Sequence, residues 1–237
     1  MLFFYIRHGD PIYNPDMLTP LGHEQAHAVA KRLCLFGIDR VFASSSNRAQ
    51  QTAEPTCRLL KKEMTVCDWA NEGLVWQEFT VVKENGSRTW GFQDDEIIKL
   101  FNSKEMRMLG DSWYTHSALH DGFKKGMERV NREVDEFFLS LGYRHDRENS
   151  RFEIVAPNEE RVAMFAHQGF GLAFLSSLLD IPYPVFSTHF DMGHTGMSVI
   201  DFAERDGYVY PKALQLSNDS HLYREGILTG YHNQIRF

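Results

Sequence analysis

The feature that most constrains the fold is a short apolar run at the start of the chain. Residues 2–6 read LFFYI and are followed at once by Arg7 and His8. A continuous apolar run of this kind is typical of a strand that is covered on both faces, as in a parallel sheet. It is too short for a signal peptide or a membrane span, and no later run reaches about 18 apolar residues. We therefore predict a buried first strand that leads into a polar loop.

The next segments alternate between the patterns of helix and strand. Thr19 can cap a helix that begins at Pro20, and Gly37 is placed to end it. Strands are predicted over residues 40–44 and 64–68, with a helix over about 49–61 between them. This β-α-β-α-β order predicts an α/β fold with a largely parallel sheet and helices on its faces.

Further along the chain the pattern is clear in some places and blurred in others. Apolar residues recur every three or four positions over 119–141, which predicts a long helix. We predict a hairpin of strands over 151–156 and 161–166, then a helix over 170–179 and a strand over 197–202. Residues 73–121 contain Trp76, Trp90 and Trp113 without clear periodicity. We interpret 73–121 as a cap inserted into a single domain that spans 1–237, with its tryptophans either lining a substrate rim or forming the cap's own core.

Charge and cysteine content limit the partners and the compartment. The net charge is -7, which argues against broad binding to nucleic acid or to anionic membranes. The chain has 3 cysteines and no CxxC pair, which indicates reduced thiols in a cytoplasmic protein. The sequence leaves the oligomeric state open. His23 and His27 have the i, i+4 spacing of metal ligands but no third ligand, so we predict no metal and no cofactor.

Polar or cationic side chains follow three of the predicted strands. Arg7-His8-Gly9 ends the first, Arg48 lies at the junction between the second strand and its helix, and His167 ends the strand over 161–166. Each has a bland alternative: a polar strand end, a solvated arginine or a structural histidine. Three such junctions on one sheet edge instead indicate an anion pocket, because free amides and the helix dipole also favour an anion there.

Together these motifs resemble the histidine phosphatase superfamily, the phosphoglycerate mutase-like proteins. Arg7-His8-Gly9 is followed at the family's spacing by Asn14, and residues 18–26, LTPLGHEQA, are similar to the family's "LTxxGxxQA". Residues 44–54, SSSNRAQQTAE, are similar to "SxxxRAxQTAE". Glu72 and His167 match the segments that supply the acid and the second histidine. The resemblance implies a three-layer α/β/α sandwich with a mostly parallel central sheet.

The resemblance also implies the role of each site residue. His8 is expected to attack phosphorus and to form a phosphohistidine. Arg7, Arg48 and His167 are expected to hold the phosphoryl oxygens and to stabilise their charge. Glu72 is expected to protonate the leaving alkoxide and then to activate water.

Two further residues are expected to bind substrate, and several positions depart from the family pattern. The side chain of Asn14 and the backbone amide of Gln168 would add hydrogen-bond donors to the pocket. Asp10 stands where glutamate is commoner, and Gln168 replaces the usual glycine after the second histidine. The segment after Glu72 lacks the "ERHYGxLxG" string of glycolytic mutases, which leaves Glu78 as a rival for the acid.

The preferred function is hydrolysis of a small phosphorylated metabolite by a histidine phosphatase of acid phosphatase type. The alternative is phosphoryl transfer of the phosphoglycerate mutase kind, which the missing mutase string and tail disfavour. A second alternative is an inactive protein that binds phosphate ligands. The presence of His8, Arg48, Glu72 and His167 together counts against that reading.

Overall fold

A computed structural model describes residues 1–230, and residues 231–237 of the predicted domain lie outside the described part. The strands, in chain order, are β1 (Leu2–Arg7), β2 (Pro11–Tyr13), β3 (Asp16–Leu18), β4 (Arg40–Ser44), β5 (Met64–Cys67), β6 (Thr80–Val82), β7 (Arg88–Trp90), β8 (Tyr143–Asp146), β9 (Arg151–Ile154), β10 (Arg161–Ala166), β11 (Met197–Asp201), β12 (Glu204–Arg205), β13 (Tyr208–Val209) and β14 (Lys212–Asn218). The α-helices are α1 (Pro20–Phe36), α2 (Asn47–Leu60), α3 (Glu72–Phe79), α4 (Asp95–Phe101), α5 (Lys104–Leu109), α6 (Asp121–Ser140), α7 (Gln168–Leu178), α8 (Tyr183–His189) and α9 (Ser220–Arg224).

The central sheet has the strand order β14-β11-β1-β10-β4-β5. The pairings β1–β10, β10–β4 and β4–β5 are parallel, and β11 is antiparallel to both of its neighbours. The mostly parallel sheet predicted from the sequence is therefore confirmed. Because β10 lies between β1 and β4, the carboxyl ends of these three strands are adjacent at one edge of the sheet.

Alternate residues of β1 face two separate cores. Phe3 and Tyr5 belong to the core under α6 and α7, whereas Phe4 and Ile6 belong to the core under α1 and α2. All four side chains are fully buried. Burial of each such side chain stabilises the fold by about 1.5–3 kcal/mol. This two-sided burial is why the first strand has no polar residue before Arg7, and it produces the expected α/β/α layering.

The two helices with the clearest sequence signals form as predicted. The Thr19 hydroxyl accepts a hydrogen bond from the Gly22 amide at the start of α1, and Gly37 ends the helix with a left-handed φ of 73°. The long helix α6 begins at Asp121, slightly later than predicted, because the His120 side chain caps it. The apolar stripe of α6 packs on the sheet.

The predicted hairpin of residues 151–156 and 161–166 is wrong. β9 pairs antiparallel with β8 and β13 in a small separate sheet, whereas β10 pairs parallel with β1 and β4. Their burial explains the difference, since β10 is covered on both faces after Arg161 and β9 is only partly buried. Proximity along the chain suggested a turn between two strands that belong to different sheets.

The segment after His8, expected to be a loop, forms a small hairpin of β2 and β3. Its turn contains a cis peptide bond between Asn14 and Pro15. The hairpin packs against α2 through its second strand. This places the turn beside the amino end of α2, where Arg48 lies.

Residues 73–121 form short elements that pack on the larger of the two cores. Trp113 is buried, with its ring stacked on Tyr183 at 5.5 Å and in edge contact with Phe101. Trp113 is therefore a core residue. Trp76 and Trp90 are half-buried and meet edge to face at 4.9 Å. None of the helices in residues 1–230 is long and apolar enough to cross a membrane.

Candidate active site

The three adjacent strand ends of the central sheet bring the predicted polar residues together. His8 follows β1, His167 follows β10, and Arg48 lies in the first turn of the helix after β4. The His8 and His167 rings have centroids 5.2 Å apart. The sheet order explains this closeness, because β10 inserts between two strands that are consecutive in the predicted pattern.

His8 is held in the form that a nucleophile needs. It is 1% exposed, and its Nδ1 lies 2.7 Å from the Gly9 carbonyl oxygen. A carbonyl only accepts, so Nδ1 carries the proton and Nε2 keeps its lone pair. Burial lowers the pKa of His8 well below its ordinary value, and the charge of Arg7 lowers it further. The imidazole is therefore neutral.

Two arginines flank His8, and each is fixed by its own partners. Arg7 donates to the Met192 carbonyl and, over 3.1 Å, to His194 Nε2. Arg48 donates to Asp16 Oδ1 at 2.7 Å. Within residues 1–230, the Nε atom of each of these two arginines is buried without a hydrogen-bond partner. Both side chains are thus held in place while keeping donor capacity for an anion.

His167 is buried deepest in the cluster. Its Nε2 lies 2.8 Å from Ser44 Oγ, and its Nδ1 lies 3.1 Å from Arg48. The Tyr5 hydroxyl donates to the His167 carbonyl and accepts from the His167 amide, which fixes the backbone. Burial lowers the pKa of His167 well below its ordinary value, and His8 and Arg48 lower it further. The described pocket therefore holds two neutral imidazoles beside two guanidinium groups.

Glu72 and Asp16 contact different terminal nitrogens of the Arg48 guanidinium group. Glu72 begins α3, and its carboxylate accepts from the Gly169 amide at 2.8 Å and from Arg48 at 3.3 Å. Burial raises the pKa of Glu72, although Arg48 and the Gly169 amide oppose the rise. A carboxyl group with a raised pKa is suited to donate a proton at neutral pH.

Its rival, Glu78, has different surroundings. Glu78 forms a two-point ion pair with Arg129 of α6, at 2.8 and 2.6 Å. Such paired geometry gives each carboxylate oxygen a guanidinium donor. The geometry favours Glu72 as the acid.

The side chains of the two expected substrate-binding residues do not join the hydrogen bonds among the five clustered residues. Asn14 is exposed in the turn of the β2–β3 hairpin, and no hydrogen bond joins its side chain to another described site residue. Gln168 begins α7, and its side chain donates to Asp191. The structure therefore brings together Arg7, His8, Arg48, Glu72 and His167, and leaves Asn14 at the margin.

The family-like motifs also shape the loops around His8. The Gln25 side chain accepts from the Asp10 amide at 2.8 Å, and the Thr52 hydroxyl accepts from the Gly9 amide at 3.0 Å. A Cβ on Gly9 would lie only 2.6 Å from the Gly22 carbonyl oxygen. The glycine is therefore required by the close approach of α1.

Two residues that sequence reasoning left outside the site lie beside Arg7 and Arg48. His194 accepts from Arg7, and its Nδ1 lies 3.4 Å from Asp10 Oδ1. Burial lowers the pKa of His194 to about 4, with Arg7 contributing. Asp16 anchors Arg48. Neither His194 nor Asp16 stands in a sequence motif of its own.

The same cluster offers ligand atoms to a cation. The nitrogens of His8 and His167 and a Glu72 oxygen lie within 4.8 Å of one another. Arg7 and Arg48 adjoin this space, and their positive charges oppose a bound cation while favouring an anion. The chemistry that the arrangement supports best is binding of a phosphoryl group beside a neutral histidine.

Solved structures share this architecture. A phosphoserine phosphatase mutant from Entamoeba histolytica, in complex with phosphoserine, has a TM-score of 0.59 and 19% identity, covering 93% of this chain and 98% of that chain. The mycobacterial glucosyl-3-phosphoglycerate phosphatase has a TM-score of 0.56 and 17% identity, covering 91% and 98%. The α-ribazole phosphatase of Shigella flexneri has a TM-score of 0.58 and 18% identity, covering 92% and 97%. At these identities the likeness establishes the fold.

The sequence comparison finds a family model that matches the first part of the chain. Residues 3–88, which contain Arg7, His8, Arg48 and Glu72, match the model of the histidine phosphatase superfamily, branch 1. None of the curated protein sequences matches the chain significantly. The resemblance inferred from the motifs is thus confirmed by the family model over residues 3–88.

Proposed function

We propose that this protein hydrolyses small phosphate monoesters through a phosphohistidine on His8. The observation that carries the proposal is the buried, neutral His8, whose proton is held at Nδ1 by the Gly9 carbonyl. Nε2 is thereby free to attack, beside Arg7, Arg48 and His167. A neutral nucleophile surrounded by cationic donors suits a phosphoryl group better than any other common substrate group.

The reaction would proceed in two displacements. In the first, His8 Nε2 forms a bond to phosphorus while the bond from phosphorus to the alcohol oxygen breaks. Glu72 gives its proton to that oxygen, so the alcohol leaves neutral. In the second, a water oxygen attacks phosphorus, Glu72 takes back a proton, and the P–N bond breaks to release inorganic phosphate.

The surrounding donors would act mainly on the charge of the moving phosphoryl group. The guanidinium groups of Arg7 and Arg48 adjoin His8, and their partners hold them in place before substrate binds. Donors that are already oriented cost little reorganisation in the transition state. Protonation of His167 on phosphate binding would add a further donor. Gln168 would contribute its backbone amide at the start of α7, and Asn14 its side chain from the hairpin turn.

The relatives support a phosphorylated metabolite as the substrate class. The similar structures include phosphatases named for phosphoserine, glucosyl-3-phosphoglycerate and α-ribazole phosphate. We further propose one domain with 73–121 as its cap, because these residues pack on the main core. A cytoplasmic location agrees with the free Cys34, Cys57 and Cys67.

A mutase and a hydrolase are separated by their products. We expect 3-phosphoglycerate, with or without 2,3-bisphosphoglycerate, to yield free phosphate at most. Appearance of 2-phosphoglycerate would instead assign the mutase activity.

His8→Ala tests the nucleophile. We expect the variant to lose p-nitrophenyl phosphate turnover by at least about a thousandfold, and to show no acid-labile phosphoenzyme after rapid quenching. His27→Ala, on the exposed face of α1, is the matched control and should keep both signals. Turnover by His8→Ala equal to that of the wild type would overturn the mechanism, and wild-type protein without any turnover would favour a binding protein.

A further inference from the structure

A cavity of about 270 Å³ opens beside the second histidine of the site. Its lining includes the rings of Phe92 and Phe190, and the polar side chains of Gln93, Gln168 and Asp191. The volume suits a small organic group of a few heavy atoms rather than a large one. We call this cavity the side pocket.

The side pocket adjoins the phosphate site through two loops. Gln168 follows His167 directly, and its amide side chain donates to Asp191. Asp191 precedes Met192, whose carbonyl accepts from Arg7. The charge of Asp191 is also among the influences that raise the pKa of Arg7 against the lowering by burial. Two lining residues of the side pocket are therefore next in the chain to residues that form or anchor the phosphate site.

The ionisable side chains that line the side pocket are those of Asp191 and His189. No lysine or arginine is among its lining residues, whereas Asp191 is an exposed carboxylate. Asp191 Oδ1 accepts from Gln168 and from the Met192 amide, which fixes the side chain. Its Oδ2 makes no hydrogen bond within the described residues and is available to a donor. A second anionic group on the substrate would meet this carboxylate with no lysine or arginine in the lining to offset the repulsion.

We propose that the side pocket binds the alcohol part of the substrate and selects phosphate monoesters that carry hydrogen-bond donors and no second anion. Asp191 is the specificity-determining residue, since Oδ2 accepts from a substrate hydroxyl or ammonium group and repels a carboxylate. The inference rests on the proposed phosphatase function and adds the substrate class. It disfavours phosphoglycerates among the possible substrates.

Two substrates with the same carbon skeleton provide the test. Glycerol 3-phosphate carries a hydroxymethyl group where 3-phosphoglycerate carries a carboxylate. We expect the wild-type protein to hydrolyse glycerol 3-phosphate with a kcat/KM at least about tenfold higher, measured as released phosphate. Because the phosphoryl group is common to both, the ratio of the two values cancels any effect on Arg7 or His8.

Asp191→Asn removes the charge and keeps an oxygen that accepts from Gln168 and Met192. In this variant we expect the kcat/KM values for glycerol 3-phosphate and 3-phosphoglycerate to differ by no more than about threefold. The change should come chiefly from a higher kcat/KM for 3-phosphoglycerate. Asp206→Asn removes an equal charge from an exposed turn between β12 and β13, and should keep the wild-type ratio. A ratio unchanged by Asp191→Asn, or a wild-type preference for 3-phosphoglycerate, would overturn the side-pocket proposal while p-nitrophenyl phosphate turnover still supports the phosphatase. Absence of turnover on every phosphomonoester would instead remove the proposed function itself.

Discussion

Two clusters of polar side chains within residues 1–230, each built around buried histidine, have opposite electrostatic surroundings. At the active site, His8 and His167 lie beside Arg7 and Arg48, and burial and positive charge lower the pKa of both imidazoles. The second cluster is centred on His145, whose two ring nitrogens each lie 3.0 Å from a carboxylate. Burial lowers the pKa of His145, but its carboxylate partners outweigh burial and raise it.

The comparison teaches that burial lowers the pKa of every one of these histidines, and that carboxylate neighbours can outweigh burial. His145 of β8 bridges Asp135 of α6 and Asp180, which follows α7, and Arg147 contacts both carboxylates. This network ties a helix, a strand and a helix end together on the sheet face of the larger core. The active-site histidines contribute a lone pair, whereas His145 contributes a charge that binds elements together.

Within this comparison, the largest expected effect concerns Glu72, the carboxylate that contacts Arg48 and His167. Glu72→Gln should lower kcat for an alkyl phosphate by about a hundredfold or more, because the leaving alkoxide loses its proton donor. The loss should be smaller for p-nitrophenyl phosphate, whose leaving group needs less protonation. The fall of wild-type kcat/KM as pH rises through the raised pKa of Glu72 should disappear in the variant.

Glu78→Gln is the matched control for that variant. Since Glu78 pairs with Arg129, we expect its loss to lower the free energy of unfolding and to leave kcat within about twofold. A hundredfold loss of kcat in Glu78→Gln with normal kcat in Glu72→Gln would reverse the assignment of the acid.

Removal of His145 should affect stability rather than catalysis. His145→Gln should lower the free energy of unfolding by about 2–3 kcal/mol, because Asp135 and Asp180 lose a charged, hydrogen-bonded partner. Denaturant unfolding measures the loss, and kcat at a temperature where the variant is folded should be unchanged. Arg144→Gln breaks only the exposed pair with Glu153 and should cost less than about 0.5 kcal/mol. Equal losses in both variants would contradict the special role of His145.

A smaller effect is expected at the third histidine of the site. His194→Ala removes the acceptor that orients Arg7, and we expect kcat/KM to fall by about tenfold through weaker phosphate binding. His194→Gln keeps an acceptor oxygen and should recover part of the loss. If the alanine and glutamine variants are equally impaired in kcat/KM, packing rather than orientation of Arg7 is the role of His194.

The smallest effect is the pH dependence of stability, and its sign differs between the clusters. The raised pKa of His145 gives stability that is present below its unfolded pKa of about 6.5 and is lost as pH rises through the folded pKa. The pKa of His194 falls to about 4, so its contribution is present above about pH 6.5 and is lost as pH falls toward 4. The stability deficit of His145→Gln should therefore shrink with rising pH.

The deficit of His194→Ala should shrink as pH falls from 7 to 5. Urea titrations at several pH values measure both trends. If the stability deficits of the two variants change with pH in the same direction, the inferred difference between the surroundings of His145 and His194 is wrong.

Much of the fold was readable from local patterns. The continuous apolar run before Arg7 predicts a doubly covered strand because both of its faces pack on helices, and Thr19, Pro20 and Gly37 mark the ends of α1 because capping is local. The strand over 161–166 has an equally clear apolar pattern, yet its partner could not be read. Strand pairing joins residues far apart in sequence, so the expected hairpin was replaced by a parallel insertion between β1 and β4.

The active site likewise combines features that the sequence determines with features that only the tertiary structure decides. The sequence alone determined the chemical groups of the pocket, because Arg7, His8, Arg48, Glu72 and His167 stand in recognisable motifs at strand and helix ends. Only the tertiary structure decided their surroundings: the proton on His8 Nδ1, the anchoring of Arg7 by His194, the pairing of Glu78 with Arg129, and the carboxylate of Asp191 beside the pocket. A motif specifies which atoms are present, whereas pKa and hydrogen-bond geometry depend on burial and on charges contributed by segments far away in the chain.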